Sequence, residues 1–287
     1  MAVSNSLQTR TQKTGITQFL NSEKVLGNIE QALGKDDKQR FITGVISAVN
    51  TNQALSECTN QSILSGALLG ESLKLSPSPQ LGHYYLVPFN DNKKGKVAQF
   101  QLGYKGYIQL AIRSGQYKKI NVLAIKKGEL EYFDPLNEEI KINLMVDNWD
   151  EREKAETIGY YAMFELNNGF RKAIYWSKKQ MENHALKYSA GYKAKKGFTF
   201  WEKNFDMMAY KTMLRQLISK WGIMSIEMQK AFDGDMAVIN EDGTKNYVET
   251  EEADFVVEAE VVEVPQEEKT ESSDNVKPTD AAAALFG

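Results

Sequence analysis

The chain has one cysteine, Cys58, and two histidines, His83 and His184, in 287 residues. A lone thiol forms no internal disulfide, so nothing here requires an oxidising compartment. One cysteine and two separated histidines give no zinc-ligand constellation, and His83 reads as a packed or hydrogen-bonding strand residue. No apolar run reaches the ~18–20 residues that span a bilayer. The segment Met1 to Gly15 is polar and lacks the apolar centre of a secretory signal. A G-x-x-x-x-G-K-[ST] loop is missing, which argues against nucleotide-driven motor chemistry. So is the nucleophile elbow that would support a serine triad. The lone thiol and the missing span and signal point to a cytoplasmic protein.

What is present is an uneven division of charge. The formal net charge is −3, yet Gly234 to Gly287 holds 15 acidic and 3 basic residues, a net of −12. Met1 to Asp233 therefore carries +9. A basic body joined to an acidic tail suits a polyanion-binding domain followed by a solvated interaction segment. The body, roughly 230 residues long, is large enough for a real core. The expected organisation is a flexible 1–20, a core over 21–233 and an acidic, disordered tail over 234–287.

Apolar spacing predicts a helical start. Ser22 would cap a helix running to Gly34, and Asp36 would open another with Phe41, Ile42, Val45, Ile46 and Val49 on one face. Asn60 would cap a third, in which Gly66 and Gly70 suit close helix packing. Pro77 and Pro79 end this section. Strand-like segments follow at 81–89 and 97–102, then 120–125 and 129–133 around Lys126–Gly128. Another pair, 157–166 and 170–176, flanks Asn167–Asn168–Gly169, a strong hairpin signal. Ser177 with Gln180 forms a capping box. Segment 189–199, with Lys193, Lys195 and Lys196 between glycines, reads as a mobile basic loop. A long helix is expected from Phe200 or Trp201 to Trp221, and a short one over 225–232. The fold class is α+β: an antiparallel, hairpin-rich sheet with packed helices.

Two helices concentrate unpaired positive charge. On Tyr104–Ser114 the spacing puts Lys105, Gln109 and Arg113 in one stripe among Tyr104, Tyr107 and other apolar residues, with Lys118 and Lys119 just beyond. On the long helix, Asn204, Lys211 and Arg215 share a strip without a carboxylate. Those cations need either an acid from another element or a bound anion, and the anion is the favoured reading. Interleaved aromatics suit single strands, whose bases can stack. A competing constellation, Asp134, Glu139 and Lys141, loosely resembles a Mg²⁺-dependent nuclease centre. A passive single-strand coat is the other alternative.

The stretches LGHYYLVPF (81–89) and FQLGYKGYIQLAIRSGQ (100–116) resemble the signature region of the phage RecT family of single-strand annealing proteins. FWEKNFDMMAYKTMLRQLISKW (200–221) and SIEMQKAF (225–232) extend the resemblance. It implies an ATP-independent recombinase with no catalytic residues and a Rad52-like annealing core. Such a protein binds single-stranded DNA, oligomerises on it as rings or helical filaments, and anneals complementary strands in homologous recombination. It implies no required cofactor, with Mg²⁺ acting through the DNA. The implied partners are single-stranded DNA and the annealed duplex, further copies of the chain, a companion 5′→3′ exonuclease and a host single-strand-binding protein. The setting implied is the bacterial cytoplasm, with the gene carried by a phage or prophage. The charge stripes make Tyr104, Lys105, Tyr107, Gln109, Arg113, Lys118, Lys119, Asn204, Lys211 and Arg215 the expected DNA contacts, with Lys193, Lys195 and Lys196 as an accessory loop. The tail alternates acids with Val, Ala and Phe over Phe255–Val264 and ends in Leu285–Phe286–Gly287, a pattern that suits a docking peptide.

Overall fold

A computed structural model describes residues 15–91, 94–197 and 199–247. It opens with α1 (Ile16–Leu20), α2 (Glu23–Leu33), α3 (Lys35–Thr51) and α4 (Asn60–Ser72). Leu20 is fully buried, so the part of the expected flexible start that is described, 15–20, is an anchored helix. α3 buries Phe41, Ile42, Val45 and Val49, as the 3.6-residue period predicts. It begins at Lys35 because Gly34 takes φ +82° and closes α2. Thr59, one residue before the expected Asn60, caps α4 by accepting the Ser62 N–H. The α4 glycines receive a strand rather than a helix. A Cβ on Gly66 would lie 2.7 Å from Leu86, and one on Gly70 2.3 Å from the Tyr84 ring.

The middle is built from antiparallel hairpins. β1 (Tyr84–Asp91) pairs with β2 (Gly95–Leu102), Tyr84 opposite Leu102. α5 (Tyr104–Arg113) leads into β3 (Tyr117–Lys126), and β4 (Leu130–Asp134) pairs with β5 (Glu139–Ile142). α6 (Trp149–Lys154) precedes the hairpin of β6 (Thr157–Leu166) and β7 (Arg171–Ser177), where Gly169 supplies φ +88° as the Asn-Gly signal requires. β3 pairs with β6 and not with its neighbour β4. The buried Glu129 carboxylate explains the departure. It accepts from Lys126 N, Met145 N and Arg152 Nε, so the chain turns off the sheet there and forms its own hairpin.

The rest is mostly helical: α7 (Lys178–Tyr188), α8 (Ala190–Lys193), α9 (Phe200–Lys203), α10 (Phe205–Trp221) and α11 (Ile226–Gly234). The capping box of Ser177 and Gln180 forms. The expected basic loop is partly helical through α8, and the single expected long helix is two. Asn204 leaves the helical region (φ −143°, ψ 58°) and separates α9 from α10. β8 (Ala237–Ile239) and β9 (Lys245–Tyr247) then complete a four-stranded sheet of order β1-β2-β8-β9, beside a three-stranded sheet β3-β6-β7. α4 packs on the first sheet, while α10 packs on the second and against α5.

This last turn of chain corrects the expected boundary at 233/234. Asp235, Ala237, Val238 and Ile239 are buried, and Ala237 pairs with Phe100 in the centre of the first sheet. Twelve acidic and 2 basic residues remain from Val248 onward, so the charge asymmetry persists with a later start. Residues 1–14 and 248–287, including Phe255–Val264 and Leu285–Gly287, lie outside the described residues, as does Phe198.

Candidate nucleic-acid interface

The two signature stretches meet through their glycines. A Cβ on Gly103 would sit 2.2 Å from the Gly82 carbonyl oxygen, and one on Gly106 2.1 Å from that of His83. Gly82 itself adopts φ +64°, open to glycine at little steric expense. The Gly103 N–H donates to His83 O at 2.9 Å. Backbone is thus pressed on backbone, and the Tyr85 ring lies against both Gly82 and Gly103. This close approach fixes the start of α5 beside the start of β1.

A groove of about 190 Å³ opens where α5 begins, α9 ends and α10 begins. Tyr85, Tyr104 and Lys105 line one part of it, and Phe200, Asn204, Met207 and Lys211 another. Neither α5 nor α10 has a side-chain N-cap: Gly103 has no side chain, and that of Asn204 makes no capping bond. Two helix N-termini, each with unsatisfied amide N–H groups and the positive end of a macrodipole, therefore border one groove. Lys105 is exposed and makes no ion pair among the described residues. The combination suits a phosphate group.

Lys211 and Arg215 have a different primary partner from the one expected. Asp235 is fully buried and accepts from four donors: Lys211 Nζ at 2.9 Å, Arg215 Nη1 at 2.7 Å, Tyr107 Oη at 2.9 Å and the Leu102 N–H at 2.8 Å. The strip without a carboxylate did need an anion, and the protein supplies it from beyond α11. Burial pushes the Asp235 carboxyl upward, but the Lys211 and Arg215 charges outweigh it and hold the group below its ordinary value. Burial pulls the Arg215 guanidinium down, while Tyr107 and Asp235 more than restore it. The cluster keeps one net positive charge, and Lys211 is among the residues that line the groove.

Other expected contacts are dispersed. Tyr107 is fully buried and belongs to the Asp235 cluster, so it is a core residue and not a surface contact. Tyr104 stands at the groove with its ring edge-on to Tyr210. Arg113 leaves the α5 stripe to donate to the Leu73 and Lys74 carbonyls at the end of α4, a capping role. Gln109 remains half-buried on α5. Lys118 and Lys119 both pair with Glu165, at 2.5 and 3.6 Å. Lys193, Lys195 and Lys196 are exposed and make no ion pair among the described residues. The structure thus joins Tyr104, Lys105, Asn204 and Lys211 at the groove, and gives Arg113, Lys118, Lys119, Arg215 and Lys211 itself intramolecular partners.

Sequence reasoning missed Phe200, Met207 and Asp235. Phe200 and Met207 carry no charge, so a search for unpaired cations passes over them. Asp235 was hidden among the acids of the tail. The nuclease-like set is a hairpin. Asp134 accepts from Leu136 N, Asn137 N and Asn137 Nδ2 to fix the β4–β5 turn, and Lys141 pairs with Glu131. Among the described residues no group of three or more His, Cys, Asp or Glu is placed to hold a metal ion. None of the described helices is long and apolar enough to cross a membrane.

Comparison with known proteins agrees with the signature stretches. Residues 39–258 match the family model described as RecT family. The chain is 39% identical to the Bacillus subtilis protein YqaK over 97% of its own length and 90% of that protein. It is 28% identical to Escherichia coli Protein RecT over 80% of its own length and 84% of that protein.

Proposed function

Because the chain belongs to the RecT family, we propose that it is an ATP-independent single-strand annealing protein that holds one DNA strand along the groove at the starts of α5 and α10. The observation that carries this reading is the meeting of Tyr104 and Lys105 with Asn204 and Lys211, from segments far apart in sequence, around two uncapped helix N-termini.

The chemistry required is neutralisation and alignment. Lys105, Lys211 and the helix ends hold phosphates, which positions a strand without reading its sequence. A backbone-held strand keeps its base edges available, so an incoming strand is selected by Watson–Crick pairing. Holding one strand extended removes part of the entropic barrier to alignment. No nucleophile, general base or nucleotide is needed. Self-assembly into rings or filaments would place successive grooves along the strand. A companion 5′→3′ exonuclease would supply the strand, and the acidic tail would meet that enzyme or a host single-strand-binding protein.

Mixing complementary labelled strands with the protein, Mg²⁺ and no ATP tests the reading. The expected outcome is faster pairing with strand lengths unchanged. Shortened strands would point to the nuclease built on Asp134, Glu139 and Lys141. Protection without faster pairing would leave only a passive coat.

A further inference from the structure

The groove has an apolar wall that phosphate binding does not use. The rings of Tyr85 and Phe200 lie 5.7 Å apart and tilted by 42°. Phe200 is 37% exposed and Met207 49%, and both line the groove. Large apolar side chains left wet in a concave site mark a contact for an apolar surface. At about 190 Å³ the space is below the ~300–1,000 Å³ of drug-sized sites, on the scale of a single nucleobase.

We propose that this wall is a stacking seat for one base of the bound strand, with Phe200 and Met207 against the base face and Tyr85 backing Phe200. This rests on the reading of the groove as a single-strand site and adds what meets the bases. The ring of Tyr85 is held by Gly82 and Gly103, so the platform is formed before DNA arrives. Gln101 donates its amide N–H to Gln99, and the Gln80 carbonyl accepts from Ser78 Oγ, so one end of each of these groove amides is engaged within the protein. The seat takes a base by its face rather than its edge. Any of the four bases offers such a face, and a thioether adapts to each. The edge stays free to pair.

Binding of wild type, Phe200→Ala, Phe200→Tyr and Met207→Ala to two oligonucleotides tests the seat. One is oligo-dT; the other has the same length and phosphate count but abasic residues throughout. Phe200→Ala should weaken oligo-dT binding about five- to a hundredfold and leave abasic binding unchanged, with Phe200→Tyr restoring oligo-dT affinity. Met207→Ala should show the same preference in milder form, which covers the case in which the Phe200 variant fails to fold. An equal loss on both strands would overturn the seat and leave the single-strand reading intact. Failure of wild type to bind either strand would overturn both.

Discussion

At the scale of single residues, Asp235 carries the most weight. A buried carboxylate that neutralises one of two buried cations cannot be removed without leaving charge uncompensated. Asp235→Asn should therefore lower stability by about 3–5 kcal/mol, read from urea unfolding at pH 7. A change below 1 kcal/mol would show that the cluster is weakly coupled. His184 gives a pH signature. Burial among Trp176, Tyr188 and Trp201, aided by the Lys187 charge, pushes its imidazole down to about 4. Between that value and about 6.5 the unfolded chain binds more protons than the folded one. Stability should thus be full above pH 6.5 and fall towards pH 4 by on the order of 3 kcal/mol. Unfolding midpoints of His184→Phe should be flatter than wild type across that window, and parallel curves would contradict the assignment. The α10 strip shows what could be read from sequence at this scale. Spacing alone established that Lys211 and Arg215 lacked a carboxylate on their own helix. It could not find Asp235, because composition counts a buried acid and a solvated one alike.

At the scale of elements, the start of α5 is set by backbone contact. Gly103→Ala and Gly106→Ala would each drive a methyl group into a carbonyl oxygen of 82 or 83. Each should destabilise by about 1–3 kcal/mol and weaken DNA binding by displacing the groove. Gly27→Ala is the matched control. It lies inside α2 with nothing within 4 Å of the added carbon, and should stabilise by about 0.5–1 kcal/mol. Thermal melts that ranked the three alike would exclude close approach as the reason for glycine. Elements with a local cause were legible: the Asn-Gly hairpin, the capping box and the α3 face. Those set by distant partners were not. β3 finds β6 because Glu129 turns the chain away from β4. The Asn204 break left no distinct signal, because Glu202, Lys203, Asn204 and Asp206 read as the wet side of a helix whose apolar spacing continues through them.

At the scale of the whole molecule, the folded unit runs beyond the point at which acidic residues begin to dominate. A chain ending at Tyr247 should keep the wild-type melting temperature. One ending at Asp233 loses Asp235 and the β8–β9 pair, and should fail to melt cooperatively. Equal melts would return the boundary to 233. The division into a basic body and an acidic tail was readable from charge, and the family from two short stretches. The groove was not, since it depends on helix ends and apolar walls that contribute nothing to net charge.

Lys105 is the cleanest probe of the groove, because it is exposed and makes no ion pair among the described residues, whereas Lys211 and Arg215 report first on the fold. The decisive measurement is the salt dependence of single-strand binding by wild type, Lys105→Ala and Lys118→Ala. If the groove seats phosphate, Lys105→Ala should weaken binding and reduce the slope of log K against log salt by about 0.7, while Lys118→Ala, which loses only a surface pair with Glu165, leaves the slope unchanged. A wild-type slope and affinity in Lys105→Ala would place the strand elsewhere on the molecule.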